Sequence, residues 1–436
     1  MTNTQLFSDH VRVRQAKAEV ALAATGFDAV VFQSGTPFTY FADDQDAPFH
    51  STPHFAHWCP LTGPHHLLAV RPGTKPVLVA VKPEDYWYEQ TPLGKPFWLD
   101  AFDVHEVADV AAAWKLVNHK GRVAYVGDDP HEAQMHAIAP GCVQPMGLGA
   151  RLDWDRAYKT PYEVACLSAA EELAARGHKA ARSAFVEGAS ELELHQAYVA
   201  ATGGIDRDLP YDTIIALDEK GATLHYTNKR TTKNGKVLLI DAGAKVNGYG
   251  SDITRTWTTE KADATFKELV SGLDRAQQEL CALVKPGMPY LDLHVAAHVK
   301  IANLLHAAGV IKKGGDEAVA LGLTQPFFPH GLGHFLGIQV HDVGGRQKSP
   351  DGGTVPPPAA YPFLRTTRTI EVDQVFTVEP GIYFIEMLLR PLRSGKTAGE
   401  FNWPLIERLK ASGGIRIEDN VLVTKDGHQN LTRAHI

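Results

Sequence analysis

Four acidic residues stand where buried strands should continue, and their placement constrains this chain more than any other feature. Asp241 closes the apolar run Leu238-Leu239-Ile240, and Asp252 opens a second run to Trp257 after a segment holding Asn247-Gly248. Glu379 follows Phe376-Thr377-Val378 and precedes Pro380-Gly381, while Glu418 lies between Ile417 and Asp419 in the strand-like run Ile415 to Val423. Short apolar runs bounded by turn signals read as buried strands. Asn-Gly between two of them is a strong turn signal. A hairpin sets Asp241 beside Asp252. Bare carboxylates in that arrangement repel, and burial makes the repulsion worse. A cation between them removes the conflict.

One imidazole joins the acids. His334 ends the loop His330-Gly331-Leu332-Gly333-His334, where glycines let the backbone pack closely. A lone strand-end acid is most simply a turn or cap residue. Five candidate ligands, Asp241, Asp252, His334, Glu379 and Glu418, are a far more specific signal, because each acid interrupts an apolar strand. Four carboxylates and a neutral imidazole balance two divalent ions. An oxygen-rich set with one histidine suits manganese, cobalt or zinc rather than a structural thiolate site. Two such metals share a bridging hydroxide, polarise a carbonyl and clamp both attacking and leaving groups, which is amide hydrolysis without a serine or cysteine nucleophile.

The rest of the chain supplies a scaffold. Its 436 residues are too many for one ordinary domain and point to two. A boundary is expected near Tyr158 to Pro161, giving residues 1–158 and 159–436. The first part reads as α/β. A helix over Gln5 to Thr25 carries Val11, Val13, Ala16, Val20 and Leu22 at helical spacing and stops at Gly26. Strands are expected at Ala29–Phe32, Pro76–Val81, Phe102–Val107 and Arg122–Val126, with a helix over Val107–Val117. In the second part Thr160 caps a helix with Pro161 at its first position and Glu163 in its first turn, running to about Phe185, and another helix starts after Ser190. Gly344–Pro362 and Met387–Lys410 read as irregular stretches.

Composition excludes several classes. The net charge of −7 gives no basic surface for nucleic acid or an anionic membrane. No apolar run approaches the roughly 20 residues of a membrane helix, and Met1 to His10 lacks the form of a secretory signal. Cys59, Cys142, Cys166 and Cys281 show no paired spacing and read as reduced cysteines of a cytoplasmic protein.

Five separated segments in order carry a family resemblance: Asp241-Ala-Gly-Ala…Ser251-Asp-Ile-Thr-Arg, Pro329-His-Gly-Leu-Gly-His, Val340-His-Asp-Val-Gly-Gly, Val378-Glu-Pro-Gly and Gly414-Ile-Arg-Ile-Glu-Asp-Asn. They resemble the creatinase/aminopeptidase superfamily, and within it bacterial Xaa-Pro dipeptidase (prolidase), including the organophosphorus acid anhydrolase branch. The resemblance covers nearly the whole chain. It implies an α+β fold, with a pita-bread catalytic domain after a smaller α/β N-terminal domain, and a binuclear centre usually active with manganese. It implies hydrolysis of Xaa-Pro dipeptides by a hydroxide bridging two metals, with organophosphorus triester or fluorophosphate hydrolysis as a side activity.

By the same resemblance Asp241 chelates one metal, His334 and Glu379 bind the other, and Asp252 and Glu418 bridge. Glu379 also shuttles a proton from the bridging water to the leaving amine. His330 and His341 match histidines that stabilise the oxyanion and place the proline. Arg416 matches an arginine that holds the dipeptide's free carboxylate, a task suited to its bidentate fork. Tyr211, His225 and Asp44 match pocket positions, and Trp87 matches a residue contributed by a partner subunit, so a homodimer is implied. Two places depart from the family pattern: Phe335 stands after His334 where a second histidine is common, and Asp46-Ala47-Pro48 replaces an aromatic pair.

Other signals carry less. His50, His54 and His57 near Cys59 read as a wet loop rather than a second metal site. His131-Glu132…His136 has its histidines five apart, not the four a zinc-protease helix needs. His178 sits mid-helix as a packed or exposed side chain. Competing readings are a metal-free amidinohydrolase of the creatinase kind, a binding protein on a degenerate pita-bread fold, and an aminopeptidase P acting on longer X-Pro peptides. The complete ligand set argues against the first two, and the local wording favours a dipeptidase over the third.

Overall fold

The computed structural model describes residues 3–87, 89, 91–117 and 120–436. The chain forms two compact units, Met1–Ala165 with Lys348–Gly353, and Cys166–Gln347 with Thr354–Ile436. Among the described residues no helix is long and apolar enough to cross a membrane. All four cysteines are buried thiols outside any disulfide.

The first unit is built on a five-stranded mixed sheet, in the order Asp103–Val107, Val77–Val81, Leu67–Val70, Ala29–Gln33, Val123–Val126. Leu67–Val70 lies antiparallel to both its neighbours, and the two outer pairings are parallel. Every expected strand is present, and Leu67–Val70 is an addition: it is too short to stand out between the two histidines and the arginine that flank it. The helix Val110–Val117 begins three residues later than expected, because Asp103–Val107 is still paired and the Asp109 carboxylate receives the Ala112 N–H.

The helix Asn3–Thr25 buries a different stripe from the one its valines suggest. Phe7, His10, Val11, Arg14, Ala18, Ala21 and Leu22 are buried, whereas Val13 and Val20 are exposed. Two polar residues lie on the inner face, and both ring nitrogens of His10 and Nη1 of Arg14 find partners there. His10 Nδ1 lies 2.8 Å from Thr160 Oγ1 and its Nε2 lies 2.8 Å from the His57 carbonyl. His57 is buried rather than wet, with Nε2 3.1 Å from Glu163 Oε1 and 3.3 Å from Arg14 Nη1. His54 turns instead to Asp153, 3.2 Å away, and His50 is exposed, so the three imidazoles do not converge on one metal. His136 pairs with Glu132 at 3.0 Å and stacks on Trp114, leaving His131 exposed.

The second unit is assembled from antiparallel pieces. Val237–Asp241 is the middle strand between Thr254–Thr258 and Ile214–Leu217, and Asp419–Thr424 is the middle strand between Val375–Val378 and Gly427–Asn430. Gly381–Tyr383 pairs with Gly414–Arg416. Alternation along Val237–Asp241 sends Leu238 and Ile240 to a core with Ala181, Phe185, Leu194 and Tyr198 of the neighbouring helices. Leu239 faces the other way, with Ile214, Ala216 and Tyr226, and Asp241 shares its side of the strand.

Local signals set the ends of these elements. Thr160 and Glu163 cap the helix Pro161–Val186 reciprocally, the Thr160 N–H donating to Glu163 Oε2 at 2.8 Å. Ser190 and Glu193 form the same box before Glu191–Thr202. Asn247 and Gly248 both have positive φ and turn a small hairpin, Lys245–Val246 with Tyr249–Gly250, nested inside the larger one. Asp252 therefore lies two residues before its strand, which starts at Thr254. The stretch Met387–Lys410 is not irregular throughout. It contains the helix Trp403–Lys410, whose Asn402 side chain accepts the Leu405 N–H.

Burial lowers the pKa of His10 to about 4, against the raising field of Glu163, and that of His66, 3% exposed, to about 4 as well. Both shifts are depressions, so the stabilisation is complete above the unfolded value near 6.5 and is lost as pH falls toward 4. Each histidine is expected to cost about 2 kcal/mol of stability by pH 5. Urea unfolding at pH 7, 6 and 5 tests this: a His10→Gln variant, weaker at pH 7, should lose less stability on acidification than the parent.

Candidate metal centre

Strand register brings the acids together before any side chain chooses a direction. In the first hairpin Asp241 pairs with Thr254, two residues past Asp252, and the Ala242 N–H donates to the Ile253 carbonyl at 3.0 Å. In the second sheet Val378 pairs with Asp419, which sets Glu379 opposite Glu418. A single bridge between Thr254 and Glu418 joins the two pieces, the Glu418 N–H donating to the Thr254 carbonyl at 3.0 Å. The run Ile415 to Val423 is thus not one strand. It breaks at Ile417–Glu418, where the chain passes from the Gly381–Tyr383 partner to the Val375–Val378 partner.

His334 arrives from the glycine loop. Its N–H donates to Thr377 Oγ1 at 3.1 Å, and its carbonyl receives the Thr377 N–H at 3.0 Å. Gly333 has no room for a side chain: a Cβ there would overlap the Thr377 carbonyl. The Glu379 N–H donates to the Leu332 carbonyl at 2.8 Å, so loop and strand are laced together at the site.

Ligand atoms of Asp252, His334 and Glu418 lie within 4.8 Å of one another, the one metal-competent cluster found among the described residues. His334 Nε2 is 3.4 Å from Asp252 Oδ2 and 3.7 Å from Glu379 Oε1. Tyr211 O–H lies 2.8 Å from Asp241 Oδ1 and 2.6 Å from Asp252 Oδ1, bracing the two acids. The chemistry of the set fits a cation in two ways. His334 Nδ1 faces the Phe335 carbonyl at 3.0 Å and must donate to it, which leaves the Nε2 lone pair directed at the carboxylates. Burial, followed by the mutual repulsion of Asp252, Glu418, Glu379 and Asp241, holds the carboxyls of Asp252, Glu379 and Glu418 well above the usual range. Such acids hold protons only until a stronger positive charge displaces them.

Arg416 is 4% exposed, and its guanidinium is already engaged. Nη2 donates to Asp241 Oδ2 at 2.6 Å, Nη1 to Tyr383 O–H at 2.9 Å and Nε to Thr254 Oγ1 at 3.2 Å. Tyr383 in turn donates to His330 Nε2 at 2.9 Å, because His330 Nδ1–H is committed to the Gly331 carbonyl at 2.8 Å. Burial, then Arg416, pushes the His330 pKa down to about 3, so this imidazole is neutral. His341 stands edge-on to His334 with ring centroids 4.3 Å apart, and exposed His225 is close enough to act electrostatically on both His330 and His341.

Asp44 and Trp87 belong to the first unit, and both are exposed; the Trp87 ring lies 4.9 Å from that of Tyr86. Asp46 closes a small loop through the Thr39 hydroxyl, 2.6 Å away. Phe335 is 1% exposed, with the Arg368 guanidinium 5.6 Å from its ring, so its side chain packs inward.

Two contributors have no sequence motif of their own. His178 is fully buried, and its Nε2 donates to the Ala242 carbonyl at 2.9 Å, one residue beyond Asp241. Arg365 lies in a Pro- and Gly-rich part of the chain, exposed, and its charge acts on both His334 and His341. Arginine followed by Thr-Thr-Arg carries no local signal. Only the packing of its backbone against Gly331, whose Cβ would lie 3.3 Å from the Arg365 nitrogen, reveals its position.

Comparison with known proteins agrees with this geometry. The metallopeptidase family M24 model matches residues 165–425, and the model for the N-terminal domain of Xaa-Pro dipeptidase matches residues 5–154. Curated relatives include the Xaa-Pro dipeptidases of Pseudoalteromonas atlantica, 40% identical over 98% of each chain, and Aeromonas hydrophila, 41% identical over 99% of this chain and 98% of that one. Zinc-substituted Escherichia coli aminopeptidase P in complex with product superposes with a TM-score of 0.75 at 23% identity, covering 98% of this chain and 96% of that one. Proline aminopeptidase P II from Yersinia pestis gives 0.74 at 23% identity, covering 100% and 97%. At that identity the structural likeness is one of fold, a pita-bread catalytic part with a separate N-terminal part.

The raised carboxyls set a sign. Without a cation the unfolded chain ionises near pH 4 while the folded site keeps its protons, so stability is lost as pH rises through the folded values. A divalent ion must displace those protons. The rise in melting temperature on adding manganese to chelator-treated protein should therefore grow from pH 5.5 to pH 8, and a pH-independent rise would contradict the assignment. A Gly333→Ala variant should lose most of that rise, since the loop that aims His334 no longer fits.

Proposed function

The chain belongs to metallopeptidase family M24 as an Xaa-Pro dipeptidase, and from that premise we propose how its own residues divide the work of releasing proline from a dipeptide. The reaction is metal-dependent hydrolysis of the Xaa-Pro peptide bond. Asp241, Asp252, His334, Glu379 and Glu418 would hold two divalent ions. When bound, the ions acidify the attacking water and polarise the scissile carbonyl. Manganese fits the oxygen-rich donor set, with cobalt or zinc as substitutes.

Glu379 takes the proton from the attacking water and passes it to the departing proline nitrogen. Its Oε2 lies 3.8 Å from His330 Nδ1, and Thr377 Oγ1 orients its other oxygen from 3.5 Å. His341, with His225 acting on it electrostatically, would stabilise the carbonyl oxygen as it becomes negative, and Tyr211, hydrogen-bonded at Asp241 and Asp252, would line the pocket beside the acids. The single observation that carries this reading is the convergence of Asp252, His334 and Glu418, with Glu379 3.7 Å from His334.

The free carboxylate is best assigned to Arg365 rather than Arg416. Arg416 already donates to Asp241, Tyr383 and Thr254, and these contacts make it the brace of Asp241. Arg365 is exposed, its backbone packs on Gly331 of the glycine loop, and its charge acts on the imidazoles of His334 and His341. Asp44 would reach a pocket, and Trp87 a neighbouring subunit, through their exposed loops; a homodimer in the cytoplasm is the assembly proposed. Fluorophosphate or phosphotriester cleavage is a proposed side activity, because a tetrahedral phosphorus centre resembles the tetrahedral intermediate of amide hydrolysis.

Chelator-stripped protein should regain Xaa-Pro dipeptidase activity with manganese and leave an Xaa-Pro-Yaa tripeptide uncut. Tripeptide cleavage would move the specificity to that of an aminopeptidase. Asp252→Ala with Glu418→Ala should cut kcat/KM by more than about a hundred-fold. Arg365→Met should raise KM about ten- to a hundred-fold, the value of a charge-assisted hydrogen bond, and leave kcat nearly unchanged. No turnover of any phosphotriester at saturating manganese would remove the side activity.

A further inference from the structure

His294 and His298 stand one turn apart on the buried face of the helix Tyr290–Ala307, each 1% exposed. Their ring centroids are 4.8 Å apart and nearly perpendicular. His298 Nδ1 meets Thr324 Oγ1 at 2.8 Å; His298 Nε2 and both nitrogens of His294 have no protein hydrogen-bond partner. Burial keeps both imidazoles neutral, lowering His294 to about 2 and His298 to about 4. Phe328 lies 5.5 Å from the His294 ring and 4.9 Å from that of His298.

This box holds one guest. The Tyr361 ring lies 4.5 Å from His294 at 85° and 4.8 Å from His298 at 30°, one edge-on contact and one stacked. Tyr361 belongs to the long loop after Thr354, and it is tied forward to the site. The Leu364 N–H donates to the Tyr361 carbonyl at 3.1 Å, and the Leu364 carbonyl receives Arg346 Nε at 2.9 Å. Leu364 is fully buried, and its Cα would lie only 3.0 Å from a Cβ on Gly331, the residue after His330. The next residue is Arg365. The segment is thus pinned twice, by the ring of Tyr361 in the box and by Leu364 over the glycine loop.

We propose that Tyr361, gripped by His294 and His298, is a positioning residue that fixes Arg365 against the His330–His334 glycine loop and thereby sets affinity for the free carboxylate of the substrate. The proposal rests on the assignment of Arg365 as the carboxylate clamp. The aromatic contacts, and not the phenol oxygen, do the holding, so a phenylalanine should serve as well.

The test compares the metal-loaded parent with Tyr361→Ala, Tyr361→Leu, Tyr361→Phe and Arg365→Met. It reads kcat and KM for a dipeptide together with inhibition by proline and by prolinamide, which lacks the carboxylate. Tyr361→Ala and Tyr361→Leu should raise KM and the proline inhibition constant about tenfold, with kcat within about twofold and prolinamide inhibition unchanged. Tyr361→Phe should behave as the parent. If Arg365→Met abolishes the preference for proline over prolinamide while both Tyr361 truncations keep it, the positioning role is overturned and the clamp stands. If Arg365→Met keeps the preference, the clamp reading falls and this one with it. Should Tyr361→Ala fold poorly, Tyr361→Leu, which keeps apolar bulk in the box, gives the same reading.

Discussion

Four carboxylates and an imidazole share one buried place in this protein, and most of the second unit serves to make that tolerable. Desolvated like charges at hydrogen-bonding distance cost several kcal/mol per ion unless positive charge lies among them. The fold supplies one fixed positive charge, Arg416 on Asp241, and leaves the rest to divalent ions. Behind the ligands it supplies a floor of compensated pairs. Asp419, next to Glu418, is fully buried, yet Arg255 and Arg433 outweigh its desolvation and hold its carboxyl below the usual range. Asn420 donates through its side chain to the Asp252 carbonyl and through its backbone N–H to Thr432 Oγ1, and the Thr432 hydroxyl in turn donates to buried Glu171. Burial keeps the Glu171 carboxyl well above its ordinary range, so it adds no further negative charge behind Asp252.

Rigidity of this kind depends on backbone approach as much as on side chains. Where Gly333 crosses Thr377, and where Gly243 crosses the Ser251 carbonyl, two chain segments touch with no space for a methyl group. Those crossings lie next to His334 and next to the Asp241–Asp252 hairpin. A metal ligand is useful only within a few tenths of an ångström of its proper place, and these two close backbone crossings fall where that tolerance matters.

The first unit solves a similar problem without a ligand. Glu163 is buried beside His57, His10 and Arg14, and its negative charge is matched locally, so its carboxyl lies well below the usual range although burial opposes this. The same residue caps the helix Pro161–Val186 through the Thr160 N–H. The contrast with the metal centre is instructive. One acid with a buried arginine and two imidazoles beside it keeps a low pKa without a ligand, whereas four acids around one histidine and one arginine hold protons until cations displace them.

The sequence alone made legible the acids that end or interrupt apolar runs, the turn between Asp241 and Asp252 and the capped helices, because each is a local pattern: an acid at an apolar run, Asn-Gly in a turn, Thr-Pro-x-Glu and Ser-x-x-Glu at helix starts. It also determined the family, since five motifs in order are unlikely to recur together in another fold. Tertiary structure alone decided what those residues do to one another. Arg416 and Arg365 look alike in a string of letters, and only packing shows the first locked to Asp241 and the second set against Gly331 of the glycine loop. Val20 and Arg14 likewise exchange their expected places on the first helix, since Thr160, His57 and Glu163, more than 40 positions away in the chain, provide partners for a polar inner face. Periodicity reports which residues share a face. Whether that face is apolar, charged or catalytic depends on residues distant in sequence, and on the low local dielectric that makes each pairing strong.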